Sequence, residues 1–201
     1  FIKICKYLIT KYFGAQKYIL ATYNGNKIQT KLRDMYFYNW NTSEEALKIS
    51  GYTTAILDWY AVNRRDLPWR KTTEPYTVWL SEIMLQQTRV SQGLPYYMNF
   101  IKKFPTIRSL AKASEEEVLH QWQGLGYYTR ARNLHKCAKK IVSDYGGIFP
   151  ESFSELKKLP GIGSYTAAAI ASICFKEPVP VLDGNVFRVL SRLFNIEHDI
   201  N

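Results

Sequence analysis

One stretch with hardly a polar side constrains this chain more than any other. Residues Tyr165 to Phe175 read YTAAAIASICF. As a helix, that sequence offers apolar or small side chains in nearly every direction, so other elements must wrap it. The chain enters it through Leu159-Pro160-Gly161-Ile162-Gly163. Two glycines in so short a turn permit positive φ and let the backbone approach a ligand closely. The N–H groups of the turn and of the helix it opens have no intrahelical acceptor. They form an anion site, and phosphate is the obvious anion. The same residues also read as a plain corner between two helices that binds nothing. The Gly-x-Gly-x-x-Thr spacing is not a dinucleotide fingerprint, because no strand precedes it and the third glycine is missing.

Helical periodicity governs the chain from Gly51 onward, and no alternating strand pattern appears there, so the class is all-α. Ile56, Leu57, Tyr60 and Val62 mark a first helix over about residues 52 to 64. It runs out in the basic turn Asn63 to Arg70, bracketed by Pro68 and Pro75. Trp69 and Arg70 suit a base and a phosphate, or a cation–π pair on the surface. Tyr76 to Thr88 reads as a central helix, apolar on most sides, with Glu82 in its middle. Gln86, Gln87, Thr88 and Arg89 at its end suit contacts to DNA, or an ordinary surface. Val90 to Phe104 is a further helix, expected to break near Gly93-Leu94-Pro95, with Tyr96, Tyr97 and Phe100 packing. Ser114 and Glu117 form a capping box ahead of Val118, Leu119 and Trp122. The glutamates at 115 to 117 are then first-turn charges favoured by the helix dipole.

A second Gly-rich turn, Gly124-Leu125-Gly126-Tyr127-Tyr128, opens an amphipathic helix with Leu134, Cys137, Ala138, Ile141 and Val142 on one face. Arg130, Arg132, Lys136, Lys139 and Lys140 take the other positions. Basic residues beside an aromatic turn suit a nucleic-acid groove, and a solvated helix face competes with that reading. His135 reads as a surface or packing residue. Gly146-Gly147 ends the helix, and Phe153 and Leu156 mark a short helix before the hairpin. After Asp183-Gly184-Asn185 a last helix turns Val186, Leu190, Leu193 and Phe194 inward, with Asp183 as its N-cap.

The charge balance, 27 basic against 17 acidic residues for a net +10, points to a polyanionic partner. Nucleic acid fits before membrane, since no segment is long and apolar enough to span a bilayer. The three cysteines, Cys5, Cys137 and Cys174, are too few and too far apart for a disulfide framework or a metal site. Cys137 and Cys174 fall on apolar faces and read as core thiols in a reducing compartment. Residues 1 to 33 hold no Asp or Glu. They read as an unrelated extension or a transit peptide, and residues 1 to 50 carry no assigned function. Residues 51 to 201 form the one recognisable domain.

Two carboxylates stand out. Desolvation would make Glu82 a proton-holding acid, unless it lies at the wet edge of its helix or in an ion pair. N-capping favours the ionised form of Asp183 and also explains that residue without any chemistry. One protonated and one ionised carboxyl group is how glycosidic-bond hydrolases divide their work. With a basic surface and a phosphate-binding hairpin, the substrate bond would be N-glycosidic and in DNA, its base flipped from the stack.

Five segments carry a resemblance: LPWR (Leu67 to Arg70), VWLSEIMLQQTRV (Val78 to Val90), GLGYYTRARNLH (Gly124 to His135), LPGIGSYTAAAI (Leu159 to Ile170) and LDGNVFRVLSRL (Leu182 to Leu193). Together they are similar to the MutY-type adenine DNA glycosylases of the helix–hairpin–helix superfamily. The resemblance implies the following roles. Glu82 protonates adenine, Asp183 stabilises an oxocarbenium-like sugar, and Tyr165 and Asn185 stand beside them. Gln87 wedges into the DNA stack. Thr88, Leu125 and Tyr127 surround the opposite base, 8-oxoguanine or guanine, and Arg70 contacts the DNA. Gly161, Ile162 and Gly163 hold a phosphate, with a monovalent cation alongside.

It further implies a monomer acting on double-stranded DNA in a bacterial cytoplasm, a nucleus or a mitochondrion. The family's four cysteine ligands for a 4Fe-4S cluster and its C-terminal domain lie beyond the point where the resemblance ends. No metal ligand is expected within residues 1 to 201. Two other readings follow. Endonuclease III-like relatives, which remove oxidised pyrimidines, carry at the Tyr165 position a lysine that attacks the sugar. A truncated chain would bind DNA without turnover.

Overall fold

The computed structural model describes residues 43–193, and among them the regular elements are helices and one 3-10 turn, with no strand. The chain forms two compact units. One is Asp66–Glu177; the other takes in the described residues up to and including Arg65 and from Pro178 onward.

The Asp66–Glu177 unit is built on two helices. The first described helix, α1 (Ser43–Asn63), belongs to the other unit; α2 (Pro75–Met84) and its neighbours belong here. Glu74 caps α2 by accepting from the Tyr76 N–H at 3.0 Å and the Thr77 N–H at 2.8 Å, with Pro75 in the first turn. Val78, Trp79, Leu80 and Met84 are wholly buried. Around α2 lie the 3-10 turn Pro68–Arg70, α3 (Val90–Lys103), α6 (Thr129–Tyr145) and α8 (Ser164–Cys174). Ala167 to Ala171 of α8 are buried, and four small alanines let that helix lie close against α2. Burial of Ser81 and Ser172 is compensated within the helices, where each hydroxyl donates to a carbonyl three residues back, at 2.7 and 3.2 Å.

Three shorter helices close the unit. α4 (Ile107–Lys112) packs on α6, α5 (Glu115–Trp122) packs on α3 and α6, and α7 (Phe153–Leu156) packs on α8. The capping box of α5 forms as read. Ser114 Oγ accepts from the Glu117 N–H at 3.1 Å, and the Glu117 carboxylate accepts from the Ser114 N–H at 2.8 Å. Left-handed Gly146 ends α6 at φ 61.

Several sequence-based expectations change here. α2 stops at Met84, so Glu82 sits in its last turn and Gln86 to Thr88 form a turn beyond it. α3 runs unbroken through Pro95. The missing Pro95 N–H would have faced the carbonyl of Ser91, and both residues are exposed, so water can serve that carbonyl. Gly93 is glycine for packing: a Cβ there would lie 2.9 Å from Leu85 Cδ2. Trp69 is buried and meets Tyr97 edge-on at 4.9 Å, which removes it from the surface where a base contact was expected. Cys137 is buried as read, whereas Cys174 is half-buried at the end of α8. Cys5 lies outside the described residues.

In the other unit, α1 starts at Ser43, earlier than the periodicity placed it, and leaves Tyr52, Trp59 and Val62 exposed. α9 (Gly184–Leu193) follows Asp183, with Val186 buried; the side chains of Leu190 and Leu193, and Phe194, lie outside the described residues.

Candidate active site and nucleic-acid interface

The hairpin before α8 is anchored from within. Leu159 and Ile162 are buried, and the Ile162 N–H closes the turn on the Leu159 carbonyl at 3.2 Å. Gly161 takes φ +72, and a Cβ on it would sit 2.7 Å from Asn133 Cβ. Both facts demand glycine. Gly163 is different. It is exposed and extended at φ −82, and a Cβ there would meet nothing within 4 Å. Among the described residues nothing requires glycine at 163, and it caps α8 without a side chain. The result is a helix N-terminus at the surface behind a bare backbone, the geometry that accepts a phosphate oxygen. Tyr165, in the first turn of α8, is half-buried.

A second cluster forms where α2 ends. Gln87 holds φ +53 and Tyr127 holds φ +50, conformations that cost a non-glycine residue about 1–3 kcal/mol each. Gln87 is exposed and Tyr127 is 63% exposed. Between them lies Arg130. Its Nη1 donates to the carbonyls of Ile83 at 3.2 Å, Met84 at 3.0 Å and Gln86 at 2.5 Å, and to Thr88 Oγ1 at 3.2 Å. Its Nη2 donates to the carbonyls of Leu125 at 3.5 Å and Gly126 at 3.2 Å. The guanidinium also lies over the rings of Trp122 and Tyr127, 5.4 and 5.3 Å from their centroids. A helix ends with unpaired carbonyls, and one distant cation satisfies them here. Burial draws the guanidinium below its ordinary pKa, while Tyr127 acts the other way.

This arrangement revises the reading of α6. Arg130 is not part of a solvated basic face; it turns inward and joins two turns. Leu125 is buried, so it supports the second turn from beneath, and Tyr127 is the part of that turn open to a ligand. Thr88 is half-buried between Arg130 and the Gln86 carbonyl. The Gln86 side chain in turn donates to Thr166 Oγ1 on α8 at 3.4 Å, so the first turn is tied to the helix behind the hairpin. Arg70, in the 3-10 turn against α2, and Glu82 are both half-buried.

In the other unit Asp183 caps α9. Its Oδ1 accepts from the Val186 N–H at 2.8 Å, and its Oδ2 accepts from Asn185 Nδ2 at 3.3 Å. Arg188 donates to Asn185 Oδ1 at 3.0 Å, which fixes the amide that faces the carboxylate. Asp183 and Asn185 are thus brought together as expected, and the capping role is real.

Among the described residues no group of three or more His, Cys, Asp or Glu side chains stands together as metal ligands. Two described cysteines cannot supply four thiolates, and the Cys137 thiol is pushed up to about 12 by burial, the opposite of what a ligand thiolate needs. The described residues by themselves do not fit an iron–sulfur cluster.

Sequence reasoning missed Arg130 as a structural cation and Asn133 as the wall behind Gly161. Periodicity held a partial signal: Asn133 and Arg130 are three apart and share a helix face.

Residues 80–201 match the family described as HhH-GPD superfamily base excision DNA repair protein. An adenine DNA glycosylase of Buchnera aphidicola (Acyrthosiphon pisum) is 49% identical over 146 residues, spanning 72% of this chain and 42% of that protein. The Homo sapiens adenine DNA glycosylase is 44% identical over 164 residues, 77% of this chain and 30% of that protein. The chain therefore spans less than half the length of these relatives. Among solved structures, a thermostable thymine-DNA glycosylase is similar with a TM-score of 0.69 and 30% identity, covering 73% of this chain and 68% of the other. A non-covalent endonuclease III–DNA complex gives a TM-score of 0.66 at 23% identity, covering 77% and 72%, a likeness of fold. With the helical architecture, the hairpin and the match over residues 80–201, this chain belongs to the HhH-GPD superfamily of base excision DNA repair proteins.

Proposed function

We propose that this chain carries the catalytic core of an adenine DNA glycosylase, hydrolysing the N-glycosidic bond of adenine mispaired with 8-oxoguanine or guanine in duplex DNA. The observation that carries this reading is the 44–49% identity to bacterial and human proteins of that name across most of the chain. Such an enzyme works where DNA is kept, in a bacterial cytoplasm, a nucleus or a mitochondrion.

The roles proposed here are those that the family resemblance implies. The hairpin at Gly161 to Gly163 holds a backbone phosphate, with a monovalent cation alongside. Gln87 enters the stack, and Thr88, Tyr127 and the buried Leu125 beneath them shape the site of the opposite base; Arg70 adds a phosphate contact. With adenine flipped out, Glu82 gives its proton to a ring nitrogen of the base. The C1′–N bond then breaks with its electron pair leaving on the base. Asp183 stabilises the cationic sugar until water adds to C1′ and releases a proton. An N-cap at a helix N-terminus suits that anion. Tyr165 and Asn185 orient the two carboxyl groups.

Tyr165 argues against the endonuclease III-like reading, because a phenol does not form a Schiff base with the sugar. The test is single-turnover adenine release from a duplex with A opposite 8-oxoguanine, with an A·T duplex as control. We expect release from the mismatch and strand breaks only after alkali. Salt-sensitive binding without any release would leave a DNA-binding module and overturn the enzymatic reading.

A further inference from the structure

One side chain that ties two turns together has no part in the chemistry above. Arg130 donates to six acceptors and lies over two aromatic rings. Its two terminal nitrogens divide the work. Nη1 bonds the Gln86 carbonyl, immediately before Gln87, and Nη2 bonds the Gly126 carbonyl, immediately before Tyr127. Gln87 and Tyr127 are two of three non-glycine residues with positive φ among the described residues. Each strained residue is thus held through the peptide that leads into it, and both by the same planar group.

We propose that Arg130 is a positioning residue that locks the turns Gln86–Thr88 and Leu125–Tyr127 into one rigid DNA-facing head, so that a contact made by one turn is felt by the other. The proposal rests on the DNA-binding reading and deepens it. Three further features support it. Trp122 Nε1 donates to the same Gly126 carbonyl at 3.0 Å, so the second turn is pinned from two directions. The Arg130 Nε–H is buried with no acceptor, so the guanidinium is placed for its outer nitrogens and not for full satisfaction of its own donors. Gly124, at φ +92, leaves room for the Tyr96 hydroxyl, which would lie 2.4 Å from a Cβ there. The second turn is therefore fixed at its start as well as at its end. A lysine at 130 would keep the charge but could not fork between two turns.

The test is a pair of double-mutant cycles on the full chain. Affinity for a duplex with A opposite 8-oxoguanine is measured by fluorescence anisotropy for the parent, Gln87→Ala, Tyr127→Ala and the double variant. The four are then remade with Arg130→Lys. With Arg130 present, the double variant should lose less than the product of the single losses, by about threefold or more, because damage to one turn already loosens the other. With Arg130→Lys, the losses should multiply. Equal coupling in both sets, or none in the first, overturns the proposal.

A second readout needs no change at Arg130. Gln87→Gly relaxes the first turn, and amide hydrogen exchange in Leu125 to Tyr127 should then accelerate; unchanged exchange there contradicts the rigid head. A parent chain that binds no duplex overturns the DNA reading and this proposal together. Tight parent binding with independent losses overturns the coupling alone.

Discussion

Gly161 and Gly163 stand two residues apart in the hairpin, and only one of them is explained by the fold. Gly161→Ala forces a Cβ into φ +72 and against Asn133, so it should cost about 1–3 kcal/mol and lower the melting temperature. Gly163→Ala meets open space at an ordinary φ and loses only a mediocre cap, so its stability should change by less than about 1 kcal/mol. If a phosphate approaches that backbone, the same variant should bind DNA several-fold more weakly. Normal affinity for Gly163→Ala would remove the phosphate from the hairpin. At Glu82, replacement by Gln keeps size and polarity but not the transferable proton. Glu82→Gln should reduce adenine release by at least about a hundredfold with duplex affinity retained, read by single-turnover kinetics beside anisotropy. Unchanged release would move the acid elsewhere.

At the scale of the element, the contact between α6 and the residue that ends α4, Ala113, carries a pH dependence. His135 on α6 is buried, and its Nε2 pairs with the Ala113 carbonyl at 3.0 Å. Burial lowers its pKa below the ordinary 6.5, with Lys139 adding to the shift and the Ala113 bond and Glu115 opposing it. The unfolded chain therefore takes up this proton first as pH falls. Stability should be full above about pH 7 and decline as pH falls below the ordinary 6.5, and His135→Gln should flatten that part of the melting curve's pH profile.

The helices themselves were legible wherever the signal is local. The Ser114–Glu117 box, the Asp183 cap, the Gly146 stop and the buried face of α6 each depend on residues a few positions apart, and each forms as the spacing implies. What depends on distant partners was not legible. α2 reads as running to Thr88, but its last carbonyls are taken by Arg130, 46 residues from Met84, and the chain turns away instead. Pro95 reads as a break, yet the carbonyl it deprives faces water, so the helix continues. The candidate site was legible in its residue types for a similar reason. Asp183 and Gly161 mark themselves by local demands, whereas Arg130 looks like any basic residue on an amphipathic helix.

Across the whole molecule, a net charge of +10 should make duplex binding depend steeply on salt. A slope reflecting several phosphates means a loss of about 10³-fold between 50 and 200 mM salt, measurable by anisotropy. A nearly flat salt profile would show that the charge serves something other than a nucleic acid. The carbonyl end of α2 has a consequence for how the molecule is made. A ribosome adds about 5–20 residues per second, so roughly 2–9 s separate Met84 from the arginine that completes its helix end. Through that interval the nascent chain holds an unfinished terminus and a turn with nothing to enforce its strained backbone. The first Gly-poor turn must wait for the second, and a chain released before Arg130 would carry α2 without the end that gives it a shape.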